Sequence, residues 1–169
     1  MYSDTDILEA TPPSPPLVAD FVKSALFDRT FREGMALVEE TAAYLDGAGR
    51  QESRQLSRPD AMLYAAESMR LTTGLMDVAS WLLLQREVRD GKLGPDQAAG
   101  TQYRLNLGVV ANPLPLGASL PAGLLRLMQR SEALFDRVRH LDRRLYLENL
   151  GISNPVASQL DRLRLAFEV

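Results

Sequence analysis

The chain has 169 residues, 46% of them hydrophobic and 24% charged, with a net charge of −3 at pH 7. This composition is typical of one folded domain and excludes the intrinsically disordered class. There is no cysteine, which excludes disulfide bonds, thiolate zinc sites and cysteine nucleophiles.

The first sixteen residues contain four prolines but neither a basic start nor a long apolar run. They predict a flexible proline-rich arm rather than a secretory signal. The apolar runs that follow, such as Trp81–Leu84, are far too short to cross a bilayer. We therefore expect a cytoplasmic protein.

The segment after the arm predicts a first long helix from about Leu17 to Leu45. Its apolar residues recur at helical spacing, as at Val18, Phe21, Ala25, Phe31, Met35, Val38, Ala42 and Leu45. Gly34 lies inside this pattern, where glycine costs about 1 kcal/mol relative to alanine, so we expect a close helix contact there. Gly47 and Gly49 predict the end of the helix and a connection that continues to Leu56.

The longest predicted helix extends from Ser57 to Gly91. Ser57 is suited to cap its first turn together with Asp60. One apolar stripe comprises Met62, Ala66, Met69, Thr73, Met76, Ser80 and Leu83, and a second comprises Leu71, Leu75, Val78 and Leu82. Because a helix with a single core face does not need both, we expect the second stripe to remain exposed in a monomer unless the short helices cover it, and if exposed to bind a second copy of the chain.

The third long helix is predicted from about Leu120 to Leu150, after a short helix within residues 96–107 and a loop over residues 108–119. Its heptad-like seam is Leu120, Leu124, Leu127, Ser131, Leu134, Val138, Leu141 and Leu145. Asn154 and Pro155 then begin a short amphipathic helix. The sequence thus predicts an all-α, antiparallel three-helix bundle over residues 17–151, between an arm at 1–16 and a short extra helix at 152–169.

The sequence offers little for catalysis or metal binding. Its one histidine, His140, has Arg137 three residues before it, so it lacks the Glu-x-x-His pattern of helical di-iron sites. We predict no catalytic residue, no metal ligand and no cofactor. For the glutamates of the predicted helices we expect surface salt bridges, or a buried pairing of Glu67 with Arg70. A carboxylate metal site between helices stays open as an alternative.

Charge is distributed unevenly along the chain. The first 46 residues contain nine acidic and three basic side chains, whereas residues 126–144 contain six arginines and three acids. An acidic first helix could therefore lie beside a basic third helix. Arg137, Arg139, Arg143 and Arg144 are also candidate binding residues for an acidic protein partner. Nucleic-acid binding is the alternative, although the pI near 5.2 and the few aromatic residues disfavour it.

Two long blocks resemble a known family. FREGMALVEETAAYLDGAGR at Phe31–Arg50 and YAAESMRLTTGLMDVASWLLLQREV at Tyr64–Val88 are similar to the alphaproteobacterial regulator of CtrA degradation (RcdA) family, as is SEALFDRVRHLDRRL in the third helix. The resemblance implies a dimeric three-helix bundle without enzymatic activity. It also implies an adaptor for the ClpXP protease that delivers the response regulator CtrA and other cargo, together with other adaptors.

Our first hypothesis is therefore a non-enzymatic adaptor that tethers cargo near the protease. Its expected partners are ClpX, response-regulator cargo, other adaptors and a second copy of the chain. The alternative hypothesis is a helical transcription-associated or nucleic-acid-binding regulator that uses the arginines of the third helix.

Overall fold

The computed structural model describes residues 16–100, 104–105 and 114–147. All regular structure in these ranges is helical. The helices are α1 Pro16–Val22, α2 Ala25–Asp46, α3 Ala48–Ser53, α4 Arg58–Arg89, α5 Pro95–Ala98 and α6 Ala122–Asp142, and a π-helical turn follows at Arg143–Leu147. Most of the predicted arm and the predicted C-terminal helix lie outside the described residues.

The long helices α2, α4 and α6 form a bundle, which confirms the predicted all-α class. Contacts between α2 and α4 pair the start of one helix with the end of the other, as in the 2.8 Å bond from Arg89 to Asp28. Contacts between α4 and α6 instead follow the same direction along both helices, from Arg70–Glu132 near the middle to Trp81–Asp142 near the end. Helix α2 is thus antiparallel to both neighbours, whereas α4 and α6 are parallel because the connection after α4 returns the chain along the bundle.

The predicted first helix is divided into α1 and α2 at Ser24. This residue has an extended backbone, and its hydroxyl oxygen accepts a hydrogen bond from the Phe27 N–H while donating one to the Phe21 carbonyl. Serine is a preferred N-cap, so it begins a new helix here. The break lets α1 fold back on α4, where Val18, Phe21 and Val22 are buried.

The boundaries of α4 agree with the sequence prediction. The Ser57 hydroxyl accepts a bond from the Asp60 N–H, and the Asp60 carboxylate accepts bonds from that hydroxyl and from the Ser119 N–H. These bonds lower the pKa of Asp60, the Ser57 hydroxyl having the larger effect. Gly91, with φ of 71°, lies just past the end of α4. The predicted connection before α4 contains the short helix α3.

Two glycines allow the long helices to approach closely. A Cβ on Gly34 would lie 2.6 Å from Leu82 Cδ1, and one on Gly74 would lie 2.7 Å from Phe135 Cζ. The predicted close contact at Gly34 is therefore confirmed. The heptad-like seam of α6 is confirmed too, since Leu124, Leu127, Ser131, Leu134 and Val138 are all buried.

Candidate protein-interaction surface

The structure buries the apolar stripe of α4 that we expected to be exposed, and it exposes the other stripe. Leu71, Leu75, Val78 and Leu82 are at most 2% exposed within one protomer. The expectation that this stripe stays exposed is wrong, and these side chains offer no surface to a second copy. The physical reason is that α4 contacts α1 as well as α2 and α6, so three neighbours cover its core side.

The other stripe, Met62, Ala66, Met69, Thr73, Met76, Ser80 and Leu83, faces outward, and we call it the methionine face. Met62 is 69% exposed, Met69 73%, Met76 60% and Leu83 48%. The alanine, threonine and serine between them are exposed as well. Exposed apolar faces of this length mark interaction sites, and methionine adapts its flexible side chain to varied partners.

The candidate arginines lie along α6 and the turn that follows it. Arg137 forms an ion pair with Glu33 of α2, and Arg139 lies 2.6 Å from Asp136. Arg130, also on α6, lies 2.6 Å from Glu40 of α2. The acidic first helix and the basic third helix thus do lie side by side. Because carboxylates already neutralise two of the four candidates, a phosphate-binding role for this set is disfavoured.

The other two candidate arginines lie at the end of α6. Arg143 is exposed. Arg144 lines a cleft of about 320 Å³ between the junction of α1 with α2 and the end of α6. The cleft is mostly apolar and is formed by Asp20, Phe21, Ser24, Leu26, Leu141, Arg144 and Leu145.

A buried polar network fixes the same end of the bundle. The Trp81 indole N–H donates a 2.9 Å bond to Asp142 Oδ1, and Arg104 Nη2 donates a 2.7 Å bond to Oδ2. The Tyr146 hydroxyl donates a 2.8 Å bond to Gln85 Oε1. Burial raises the pKa of Tyr146. This network was missed in the sequence, because it joins residues that are far apart in the chain.

A second polar cluster joins α4 to α6. Arg70 Nε lies 2.8 Å from Glu67 and its Nη1 lies 2.7 Å from Glu132. Burial disfavours the charge on Arg70, but the two carboxylates outweigh that effect and raise its pKa. The predicted pairing of Glu67 with Arg70 is therefore confirmed, and it extends to a third residue.

The described ranges contain no group of three or more His, Asp or Glu side chains placed to hold a metal ion, and His140 is exposed. None of the helices in those ranges combines the length and hydrophobicity that a membrane span requires.

Comparison with known proteins identifies the family. A family model described as "Protein of unknown function (DUF1465)" matches residues 18–167. The crystal structure of RcdA from Caulobacter crescentus CB15 is 58% identical, with a TM-score of 0.66, over 76% of this chain and 98% of that one. The chain belongs to the RcdA family. The resemblance found in the sequence is thus confirmed, and the RcdA likeness covers most of the bundle. A comparison with curated proteins gives no match.

Proposed function

We propose that the chain is a non-enzymatic adaptor that promotes degradation of cell-cycle regulators such as CtrA by the ClpXP protease. Membership of the RcdA family supports this proposal. The single observation that carries it is the exposed methionine face, since an apolar surface of this extent is suited to contact with other proteins. We place this activity in the cytoplasm with the protease.

The proposed mechanism is tethering. An adaptor that contacts cargo and ClpX together makes the encounter between them intramolecular, which raises their effective concentration without new chemistry. Such a mechanism needs separate surfaces for separate partners. The methionine face lies along α4, whereas Arg143 and the apolar cleft lie at the end of α6.

We assign the arginine-bearing end of α6 to an acidic protein partner. Arg143 is the main candidate there because its side chain is exposed, whereas Arg137 and Arg139 are paired with carboxylates. Arg144 borders the adjoining cleft, where apolar side chains could add contact area. A response regulator and a partner adaptor are the proposed ligands of this end.

The proposal includes a homodimer and a three-part chain. The bundle over residues 17–151 would form the dimer, and the arm at 1–16 and the helix at 152–169 would be available to partners.

The experiment is a pull-down with immobilised full-length chain at low salt. ClpX, a CtrA-type regulator and partner adaptors are offered singly and then together. We expect retention of at least one of them, and greater retention of the regulator when ClpX is present. The proposal fails if none is retained, or if retention is unchanged when the chain is replaced by an unrelated helical bundle.

A further inference from the structure

The fully exposed residues along most of α4 are uncharged, and Asp77 is a half-buried acid at the edge of this exposed side. The exposed residues between the ends of the methionine face are Met62, Ala65, Ala66, Met69, Thr72, Thr73, Met76, Ser80 and Leu83. At a rise of 1.5 Å per residue, this uncharged strip is about 30 Å long. A strip of that shape matches one helix lying along it.

The strip has the pattern of a helix–helix seam. Large apolar residues repeat every seven positions at Met62, Met69, Met76 and Leu83, and small residues lie between them at Ala66, Thr73 and Ser80. A seven-residue repeat keeps one face of a helix against a partner helix. Small residues between the large ones let the two backbones approach and give each large side chain a space to fill.

The pattern is nearly unchanged when the helix is reversed. Counting outward from a point between Thr72 and Thr73 gives first Met69 and Met76, and then Met62 and Leu83. Two copies of α4 placed antiparallel about that point therefore bring large apolar side chains opposite one another. Such a two-fold arrangement uses the same surface on both copies.

The charges at the two ends of the strip select the same arrangement. Farther outward on the same side of α4 are Arg58 and Glu87, which are equally distant from that point; both are exposed, and neither forms an ion pair within the described part of the chain. In the antiparallel pair, the arginine of each copy meets the glutamate of the other. In a parallel pair, Arg58 would meet Arg58, which like-charge repulsion disfavours.

We propose that a second copy of the chain binds the methionine face, with the two α4 helices antiparallel about a two-fold axis between Thr72 and Thr73. This inference rests on the homodimer in the proposed function and adds its face, direction and register. An amphipathic helix of a cargo protein is the competing occupant, and the experiments below distinguish the two.

Disulfide trapping tests the register, because the chain has no cysteine of its own. Met69→Cys and Met76→Cys proteins with different tags are mixed, oxidised mildly and separated without reductant. We expect the mixed disulfide to exceed each self-disulfide several-fold. The control mixture, Met62→Cys with Met76→Cys, is seven residues out of register and should cross-link weakly. Equal yields, dominant self-disulfides or no cross-link would overturn the register.

Charge reversal gives an independent test, in which the solution mass of each variant is measured as a function of protein concentration. Arg58→Glu and Glu87→Arg each replace two attractive pairs by repulsive ones, so the dimer Kd should rise about tenfold in each variant. The double variant should return the Kd to within about twofold of the original value. Additive weakening in the double variant would overturn the proposal.

The same measurements separate this inference from the proposed function. A dimer that persists unchanged in Met69→Glu keeps the homodimer but overturns the assigned face. A chain that is monomeric at every concentration overturns this inference and the homodimer, whereas binding of ClpX or cargo is judged independently in the pull-down. Loss of cargo retention in Met69→Glu of such a monomer would assign the face to cargo instead.

Discussion

The indole N–H of Trp81 and the carboxylate of Asp142 are joined by a 2.9 Å hydrogen bond that links α4 to the last residue of α6. Arg104, from the connection between these helices, bonds to the same carboxylate. One buried acid thus holds three parts of the chain together. Since the cleft and Arg143 lie beside it, this network also fixes the proposed binding end of the bundle.

Asp142→Ala should lower the free energy of unfolding by about 2–4 kcal/mol, because it leaves the Arg104 guanidinium and the Trp81 N–H without their acceptor. Denaturant unfolding followed by the fluorescence of Trp81, the only tryptophan, measures the change. The matched control is Asp136→Ala, which removes an exposed pair with Arg139 and should cost less than about 1 kcal/mol. Equal losses in the two variants would contradict the role of the network.

Gly74→Ala should destabilise the fold by about 1–3 kcal/mol, although alanine favours helices more than glycine does. The added Cβ would meet the Phe135 ring at 2.7 Å, and that ring is buried. Gln129→Ala, at an exposed position of α6, should change stability by less than about 0.5 kcal/mol. Chemical denaturation compares them, and a stabilised Gly74→Ala protein would show that the two helices do not pack as described.

The tyrosines should make the fold weaken in alkali. Burial raises the pKa of Tyr146, so between the unfolded value of about 10 and the folded value the native state binds more protons. The free energy of unfolding should therefore be level below about pH 9 and fall as the pH rises above 10. Burial also raises the pKa of Tyr44 and Tyr64. These two tyrosines are present both in the original protein and in the Tyr146→Phe variant described next.

Tyr146→Phe isolates that effect. The variant loses the hydrogen bond to Gln85, which should lower stability by about 1 kcal/mol at pH 8. Its stability should then fall less steeply than that of the original protein between pH 10 and 11. Parallel slopes in denaturant titrations would show that Tyr146 ionises equally in the folded and unfolded chains.

Arg143→Glu should reduce capture of an acidic partner several-fold in the pull-down while leaving thermal stability unchanged, because the side chain is exposed. Arg50→Glu makes the same change of charge on α3, near the opposite end of the bundle, and serves as the control. If both variants lose the partner equally, the effect comes from net charge and the assignment of this end is wrong.

Local signals predicted much of the fold. The spacing of Leu124, Leu127 and Leu134 predicted the seam of α6, Ser57 predicted the start of α4, and Gly34 predicted a close contact. Each of these depends on neighbours along the helix or on the size of one residue. The helical class and most of the core followed from them.

The missed features depend on contacts between distant segments. Both stripes of α4 are apolar, so periodicity alone could not tell which side would face neighbours. The packing of α2 and α6 on one side of α4 decides it, and the break at Ser24 adds to this cover because it lets α1 fold onto α4. Serine as a preferred N-cap was the available signal. For Arg104 no signal was available, since its partner Asp142 is brought to it only by the folded connection.

The rate of ClpXP degradation of a CtrA-type regulator, measured against increasing concentration of this chain with ATP and partner adaptors present, tests the account most directly. Tethering predicts a rate that first rises and then falls, because excess adaptor binds cargo and protease separately. A rate that is independent of the chain at every concentration would contradict the account.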